Sequence, residues 1–214
     1  LVSALENCGV DFFEIGFPFS DPIADGPTIQ KSSEAALRKG VTWKKVLGLA
    51  KRIRRRSRAP LLFMSYANTL FCRGWEESAR EIALAGFDGA IVPDLIPEES
   101  AEVRAIFKTR GLFLVHLLSP TSSNARIKSV SKASRGFIYC VSVAGVTGAR
   151  KSLPAAQIRS FLKEVKRKSR LPAVLGFGIS SPEQCRQFYG AADGFVIGSA
   201  LIKTLEGTSS IPAM

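Results

Sequence analysis

The sequence predicts an α/β fold, a (β/α)8 barrel of the TIM type, on three observations. Short apolar runs alternate with longer amphipathic stretches along the whole chain. The runs are rich in Val, Ile, Leu and Phe and nearly continuous, as in strands buried on both faces. No glycine-rich dinucleotide fingerprint follows the first of them, which weighs against a doubly wound sheet holding a nucleotide cofactor.

In chain order the expected strands are residues 12–16, 61–66, 89–94, 112–117, 136–142, 173–178 and 194–198. Between them the expected helices are 28–39 and 43–57, then 76–85, 97–110 and 124–133, then 154–168 and 182–189. Start signals agree: Thr42 stands before Trp43, Pro97 before a Glu-Glu-Ser run, and Ser181-Pro182 before the last of these helices. Repeated βα units with short connections mean a parallel sheet. The opening SALENCG reads as the tail of a helix ending at Gly9, so the first strand and part of its helix are expected to be missing from this segment. The whole of 1–214 is expected to form one domain, incomplete at its start and also near its end. Alone it is expected to be aggregation-prone, because the strands at 12–16 and 194–198 would keep unpaired edges.

Composition excludes several function classes. The net charge is +12, much of it in two basic runs at 51–58 and 163–170. Both close predicted helices, where cations meet the negative end of the helix dipole, and neither has interleaved aromatics. A basic surface around anionic chemistry is the expected reading, and nucleic-acid binding is not. No apolar run is long enough to span a bilayer. Cys8, Cys72, Cys140 and Cys185 show no metal spacing. Three lie in apolar or helical contexts, where buried, reduced thiols are expected, and a reducing cytoplasm follows. The only histidine, His116, lies in the apolar run LFLVHLL and reads as a packed core residue. Its solitude argues against a Ser-His-Asp triad or a histidine-based metal site.

Parallel barrels place their chemistry at the carboxyl ends of the strands. In FFEIGFPFSDPIADGP, strand alternation sets Phe12, Glu14 and Gly16 on one face and Phe13 and Ile15 on the other. If the second pair packs against helices, Glu14 points into the barrel mouth, where a carboxylate is costly unless hydrogen-bonded or used. A buried glutamate that fixes loop backbone is the competing reading. Asp25 follows in the loop and would equally serve as a cap for the next helix, with Pro27 in its first turn. At the other end, Gly176-Phe177-Gly178 and Gly198-Ser199-Ala200 close the last two strands. Glycine backbone approach plus a helix N-terminus favours an anion, and these loops are the usual barrel phosphate site. The alternative is two ligand-free glycine turns. Tyr139 shares a strand face with Phe137 and Val141, and the loop from Ser142 to Gly148 is polar, glycine-punctuated and suited to a lid. Either feature equally reads as plain packing or a long connection.

Taken together, EIGFPFSDPIADGPTIQ, YAN, GFIYCVSVAGVTG, GFGIS and GSA resemble the tryptophan synthase α subunits, in that family's order and spacing. The resemblance covers essentially the whole chain, and the PFSDP…ADGP pairing is its specific part. It implies a lyase that cleaves indole-3-glycerol phosphate to indole and glyceraldehyde 3-phosphate by a retro-aldol step, within tryptophan biosynthesis. It implies Glu14 as the acid–base and Asp25 as the partner of the indole N–H. Tyr139, Thr147, Phe177, Met64, Tyr66 and Asp94 match substrate-site positions, and Gly148, Gly178, Gly198 and Ser199 match phosphate ligands. No metal or organic cofactor is implied in this chain. Pyridoxal phosphate is implied only in a partner β subunit, within an α2β2 complex, that receives the indole. Asp21, Pro22, Asn68 and Phe71 match docking positions for that partner. The other readings are a stand-alone indole-releasing lyase, a non-cleaving α-like subunit that activates a β subunit, and a nucleic-acid binder. Intact Glu14 and Asp25 count against the non-cleaving one.

Overall fold

The computed structural model describes residues 1–142, 154–176 and 178–207. These residues form two compact units. The first holds Leu1–Pro22, Ser33–His116 and Ala133–Gly136; the second holds Ile23–Ser32, Leu117–Lys132 and the described residues from Phe137 onward.

The first unit opens with α1 (Val2–Asn7), which ends ahead of Gly9 at φ 87°, as the sequence suggests. β1 (Phe13–Gly16) follows. After α2 (Pro27–Arg38), whose first turns belong to the second unit, come α3 (Trp43–Arg54) and β2 (Leu61–Met64). Next are α4 (Ala67–Phe71), α5 (Trp75–Ala85), β3 (Gly89–Ile91), α6 (Ala101–Thr109) and β4 (Phe113–Val115). The strands form one parallel sheet in the order β1-β2-β3-β4. Register places Glu14 beside Leu62, Leu62 beside Gly89, and Gly89 beside Phe113. Phe13, Leu61, Phe63, Ala90 and Leu114 lie in a buried cluster with Trp43, Val46, Ala50, Ile82 and Phe107 from the helices. Each of the Phe, Leu, Ile and Val side chains contributes about 1.5–3 kcal/mol on burial. By alternation Glu14, Leu62, Met64 and Ile91 face away from the helices.

The second unit holds β5 (Leu117–Leu118), α7 (Asn124–Ala133), β6 (Ile138–Val141), α8 (Ala155–Lys168) and β7 (Ala173–Gly176). It ends with α9 (Pro182–Gln187), β8 (Gly194–Phe195) and α10 (Ser199–Gly207). Its sheet runs β5-β6-β7-β8, again all parallel. Leu118, Ile138, Cys140, Ala173 and Leu175 pack with Ile158, Leu162 and Val165 of α8. Tyr139, Val174 and Gly176 therefore turn to the other face.

The same device anchors a strand start in each unit. Asp88, just before β3, takes the Leu61 amide on Oδ2 at 2.8 Å and pairs with Arg54 at 2.6 Å. Asp193, just before β8, takes the Ala173 amide at 2.9 Å and pairs with Lys166 at 2.5 Å. The two basic runs thus close α3 and α8 as expected, but each also supplies one structural cation.

Some expectations need correction. The strand expected at 112–117 is broken at His116, because the His116 amide donates to Ser134 Oγ at 3.1 Å instead of joining a ladder. The residue itself is core-packed as read, only 2% exposed. The helix expected from Pro97 begins at Ala101, since the Ser100 hydroxyl closes a turn onto the Pro97 carbonyl and the Ser100 carbonyl then accepts from Arg104. The short helix α4 was unforeseen. Three of the four thiols are expected to be buried, but only Cys140 is: Cys185 is half-buried, and Cys8 and Cys72 are exposed; all four are free. No helix among the described residues is long and apolar enough to cross a membrane.

Candidate functional site

Glu14 owes its setting to its neighbours in the chain. Phe13 is buried in the helix-facing cluster and Ile15 packs against it, so the residue between them must point the other way. The residue as a whole is half-buried, yet its Oε1 lies out of solvent and makes no hydrogen bond among the described residues. Burial pushes the carboxyl up from 4.5 to about 8. A carboxyl fixing loop backbone would accept hydrogen bonds and be driven down, which is the opposite of what burial does to Glu14. At neutral pH it is therefore mostly protonated.

The other first-unit candidates lie at the carboxyl ends of β1, β2 and β3. Met64 ends β2, and its carbonyl accepts the Phe17 amide at 2.8 Å. Tyr66 is buried and stacks on Phe19, ring centroids 5.1 Å apart and 23° from parallel. Asp94 is exposed, and its Oδ1 accepts the Ala67 amide at 2.9 Å, capping α4 from the loop after β3. That bond gives Asp94 a structural task the sequence did not suggest. Asp21 is exposed and receives the Ser20 hydroxyl; Pro22 is half-buried. Asn68 is exposed and takes the Cys72 Sγ at 3.3 Å, while Phe71 is 66% exposed.

In the second unit Asp25 is 7% exposed, in the bend before α2. The Gly26 carbonyl, just ahead of α2, accepts the Gln30 amide at 2.9 Å, while Gln30 Nε2 donates to the Asp25 carbonyl at 3.0 Å. Tyr139 is 4% exposed on β6, with its ring laid over Gly176. A methyl built at Gly176 would stand 2.6 Å from the Tyr139 hydroxyl, so glycine there is demanded by the tyrosine. The sequence offers Gly176 as part of a phosphate loop or of a ligand-free glycine turn, and not as a packing partner of Tyr139. Gly178 has φ 83°, open to glycine and strained for other residues. Gly198 caps α10, its carbonyl taking the Ile202 amide at 3.1 Å, and Ser199 begins that helix. An α10 N-terminus beside a glycine offers free amides and a positive dipole end to an anion. Thr147, Gly148 and Phe177 lie outside the described residues. Among the described residues no group of His, Cys, Asp and Glu could hold a metal ion.

Known proteins match this arrangement over most of the chain. The family model described as tryptophan synthase alpha chain matches residues 1–212. The tryptophan synthase alpha chain of Citrifermentans bemidjiense is 48% identical over 206 residues, 96% of this chain and 77% of the relative. That of Geobacter sulfurreducens is 45% identical, over 96% of this chain and 78% of the relative. The solved tryptophan synthase A-subunit of Pyrococcus furiosus superposes with a TM-score of 0.88 at 32% identity, over 97% of this chain and 83% of the other.

Proposed function

The chain belongs to the tryptophan synthase alpha chain family, lyases that cleave indole-3-glycerol phosphate, and we propose that here Glu14 moves the protons of that reaction while Asp25 steadies the ring. The fold is the α/β parallel-strand barrel fold of that family. A family member of this kind needs no cofactor of its own.

The observation that carries the assignment is the dry Oε1 of Glu14, which has no hydrogen-bond partner among the described residues, on a carboxyl protonated up to about pH 8. Glu14 gives its proton to indole C3, which turns the ring into an electron sink. The bond from C3 to the glycerol carbon then breaks, and its electron pair returns to the ring. The hydroxyl proton on that carbon passes to the Glu14 carboxylate as the carbon becomes the aldehyde of glyceraldehyde 3-phosphate. Protons and electrons balance without a metal or an oxidant. Asp25, as a carboxylate, stabilises the cationic ring through its N–H. Tyr139 lines the site and supports the reacting groups; Met64, Tyr66, Phe177, Thr147 and Asp94 are the remaining substrate-side candidates. Gly148, Gly178, Gly198 and Ser199 hold the phosphate, an assignment supported by the capping glycine at α10. Residues 1–214 act as one domain, in the cytoplasm. Asp21, Pro22, Asn68 and Phe71 dock a pyridoxal-phosphate-bearing β subunit, which receives the indole; the exposure of Phe71 supports this.

The test is indole release from indole-3-glycerol phosphate as a function of pH, with and without a β subunit. Because the protonated acid starts the reaction, the rate is expected to fall above about pH 8. A rate flat through that range would show that Glu14 is not the acid.

A further inference from the structure

A closed group of three side chains, outside the proton-transfer site, ties together the two segments proposed to dock a partner. Phe17, just past β1, sets its ring edge-on to Trp43 at 5.6 Å. Trp43 Nε1 donates to Glu81 Oε2 at 2.7 Å, and Arg73 reaches the same oxygen at 3.0 Å. The Arg73 guanidinium also lies over the Trp43 ring, 4.6 Å from its centroid. Arg73 sits in the turn between α4 and α5, closed by the Gly74 amide on the Phe71 carbonyl at 2.9 Å. One end of this group therefore holds the C-terminal end of α4, and the other holds the segment that runs from β1 to Phe19 and Asp21.

α4 is five residues long, too short to persist by its own hydrogen bonds. Its position comes from outside: Asp94 holds its first amide, Tyr66 at its N-cap stacks on Phe19, and the Arg73 group holds its far end. The ion pair alone is worth little at this exposure, with side chains 39% and 26% accessible. Its effect lies in fixing three planar groups in one geometry before a partner arrives. Binding surfaces already ordered avoid the entropy of ordering them on contact.

We propose that Arg73, Glu81 and Trp43 are positioning residues that hold Ser20–Pro22 and Asn68–Phe71 as one preassembled docking surface, and so set how tightly a β subunit binds and stimulates indole release. This rests on the docking assignment made above. The experiment titrates the chain with a pyridoxal-phosphate-loaded tryptophan synthase β subunit and follows indole release, with tryptophan emission read in parallel. Arg73→Ala is expected to raise the half-stimulating β-subunit concentration about tenfold, keep the unstimulated rate within about twofold, and shift Trp43 emission. Arg73→Lys, which keeps the charge but not the flat stack, is expected to recover part of the affinity. If Arg73→Ala does not fold, Glu81→Gln serves: it keeps an oxygen for Trp43, drops the charge facing Arg73, and is expected to raise the same concentration about threefold. An unchanged half-stimulating concentration in these variants overturns the inference, as does an unstimulated rate that falls in step with the stimulated one. A parent chain that no β subunit stimulates overturns the docking assignment and the inference together.

Discussion

The two four-stranded units share a skeleton and differ in chemistry. Each has a parallel sheet packed on helices, and each anchors a strand start through an aspartate shared between a strand amide and a helix cation. The first unit adds an acid in a dry setting, Glu14, with its carboxyl displaced to about 8. The second adds glycines, a tyrosine laid on one of them, and a helix N-terminus. The anchors lie at the starts of β2 and β7, and the glycines and the α10 N-terminus of the second unit lie past the ends of its strands, so the fold can hold its skeleton constant while the loops differ. The lesson is that aspartate in these Asp-Gly pairs is scaffold, so it is the residues outside the shared anchors that set the two units apart.

The largest effect expected from breaking the comparison is at Glu14. Glu14→Gln fills the same space but cannot shuttle a proton, so kcat for indole release should fall at least about 10²-fold. Because Glu14 resists ionising in the fold, the same variant should be more stable than the parent at pH 8, where the parent must hold or ionise a buried acid. Activity within a few-fold of the parent would end the assignment, and an unchanged melting temperature at pH 8 would mean the acid is better solvated than Oε1 suggests.

The next effect compares equivalent glycines. Gly89 and Gly194 each follow an anchoring aspartate, but their surroundings differ. A methyl at Gly89 would stand 2.6 Å from the Phe113 carbonyl oxygen, which is backbone and cannot swing aside. At Gly194 the nearest atom is a Val174 methyl at 3.6 Å, an ordinary contact. Gly89→Ala should therefore destabilise by about 1–3 kcal/mol and Gly194→Ala by less than about 0.5 kcal/mol, measured by urea unfolding. Equal losses would mean that the close Phe113 carbonyl does not decide the cost at Gly89.

How much of this was legible in the sequence depends on the range of the contact. The parity of β1 follows from Phe13 and Ile15 alone, and it correctly turned Glu14 away from the helices. The displaced carboxyl could not be read, because it depends on what neighbouring strands fail to offer. The strand anchors were invisible for the same reason: Asp88 meets Leu61 across 27 positions and Asp193 meets Ala173 across 20. Gly176 looked like a ligand-contacting glycine until the Tyr139 ring from β6 supplied a packing reason. α4 is too short to show a helical period, and its N-terminus is capped by Asp94 from a different loop. His116 was read correctly as core, but the hydroxyl of Ser134 that pulls it from the ladder lies 18 residues away.

Titration should also separate the units, with smaller effects. Burial lowers His116 from 6.5 to about 4, with Arg104 adding to the shift and the Leu95 carbonyl and Glu98 opposing it. Its contribution to stability is present above about pH 6.5 and is lost as pH falls through about 4. Glu14 acts in the opposite sense: its contribution is present below about pH 4.5 and is lost as pH rises through about 8. The two slopes oppose each other between those ranges, so stability should be nearly flat from about pH 4.5 to 6.5 and fall above it. The large shifts of the second unit, Cys140 up to about 12 and Glu164 down to about 2, leave that range alone. His116→Gln should make stability fall continuously from about pH 4.5, by an amount on the order of 1–2 kcal/mol by pH 6.5. Urea melts from pH 4 to 9 read it, and a curve identical to the parent would mean that His116 is not held neutral.

The smallest expected effect tests the shared anchors themselves. Asp88→Asn and Asp193→Asn each keep an oxygen for the strand amide and remove only the negative charge that faces the helix cation. Arg54 is the better held cation, 26% accessible against 36% for Lys166, and it also donates to the Gly86 and Ala59 carbonyls at 2.8 and 2.9 Å. Neutralising Asp88 therefore leaves a fixed guanidinium facing an amide. Neutralising Asp193 leaves a lysine that can swing to water. The first change should cost about 1 kcal/mol and the second about half that, both shrinking in high salt and the second more completely. Double variants that also replace Arg54 or Lys166 would isolate the pair energies. If Asp193→Asn proves the costlier, the anchors are alike only in geometry, and burial of the cation is not what decides their strength.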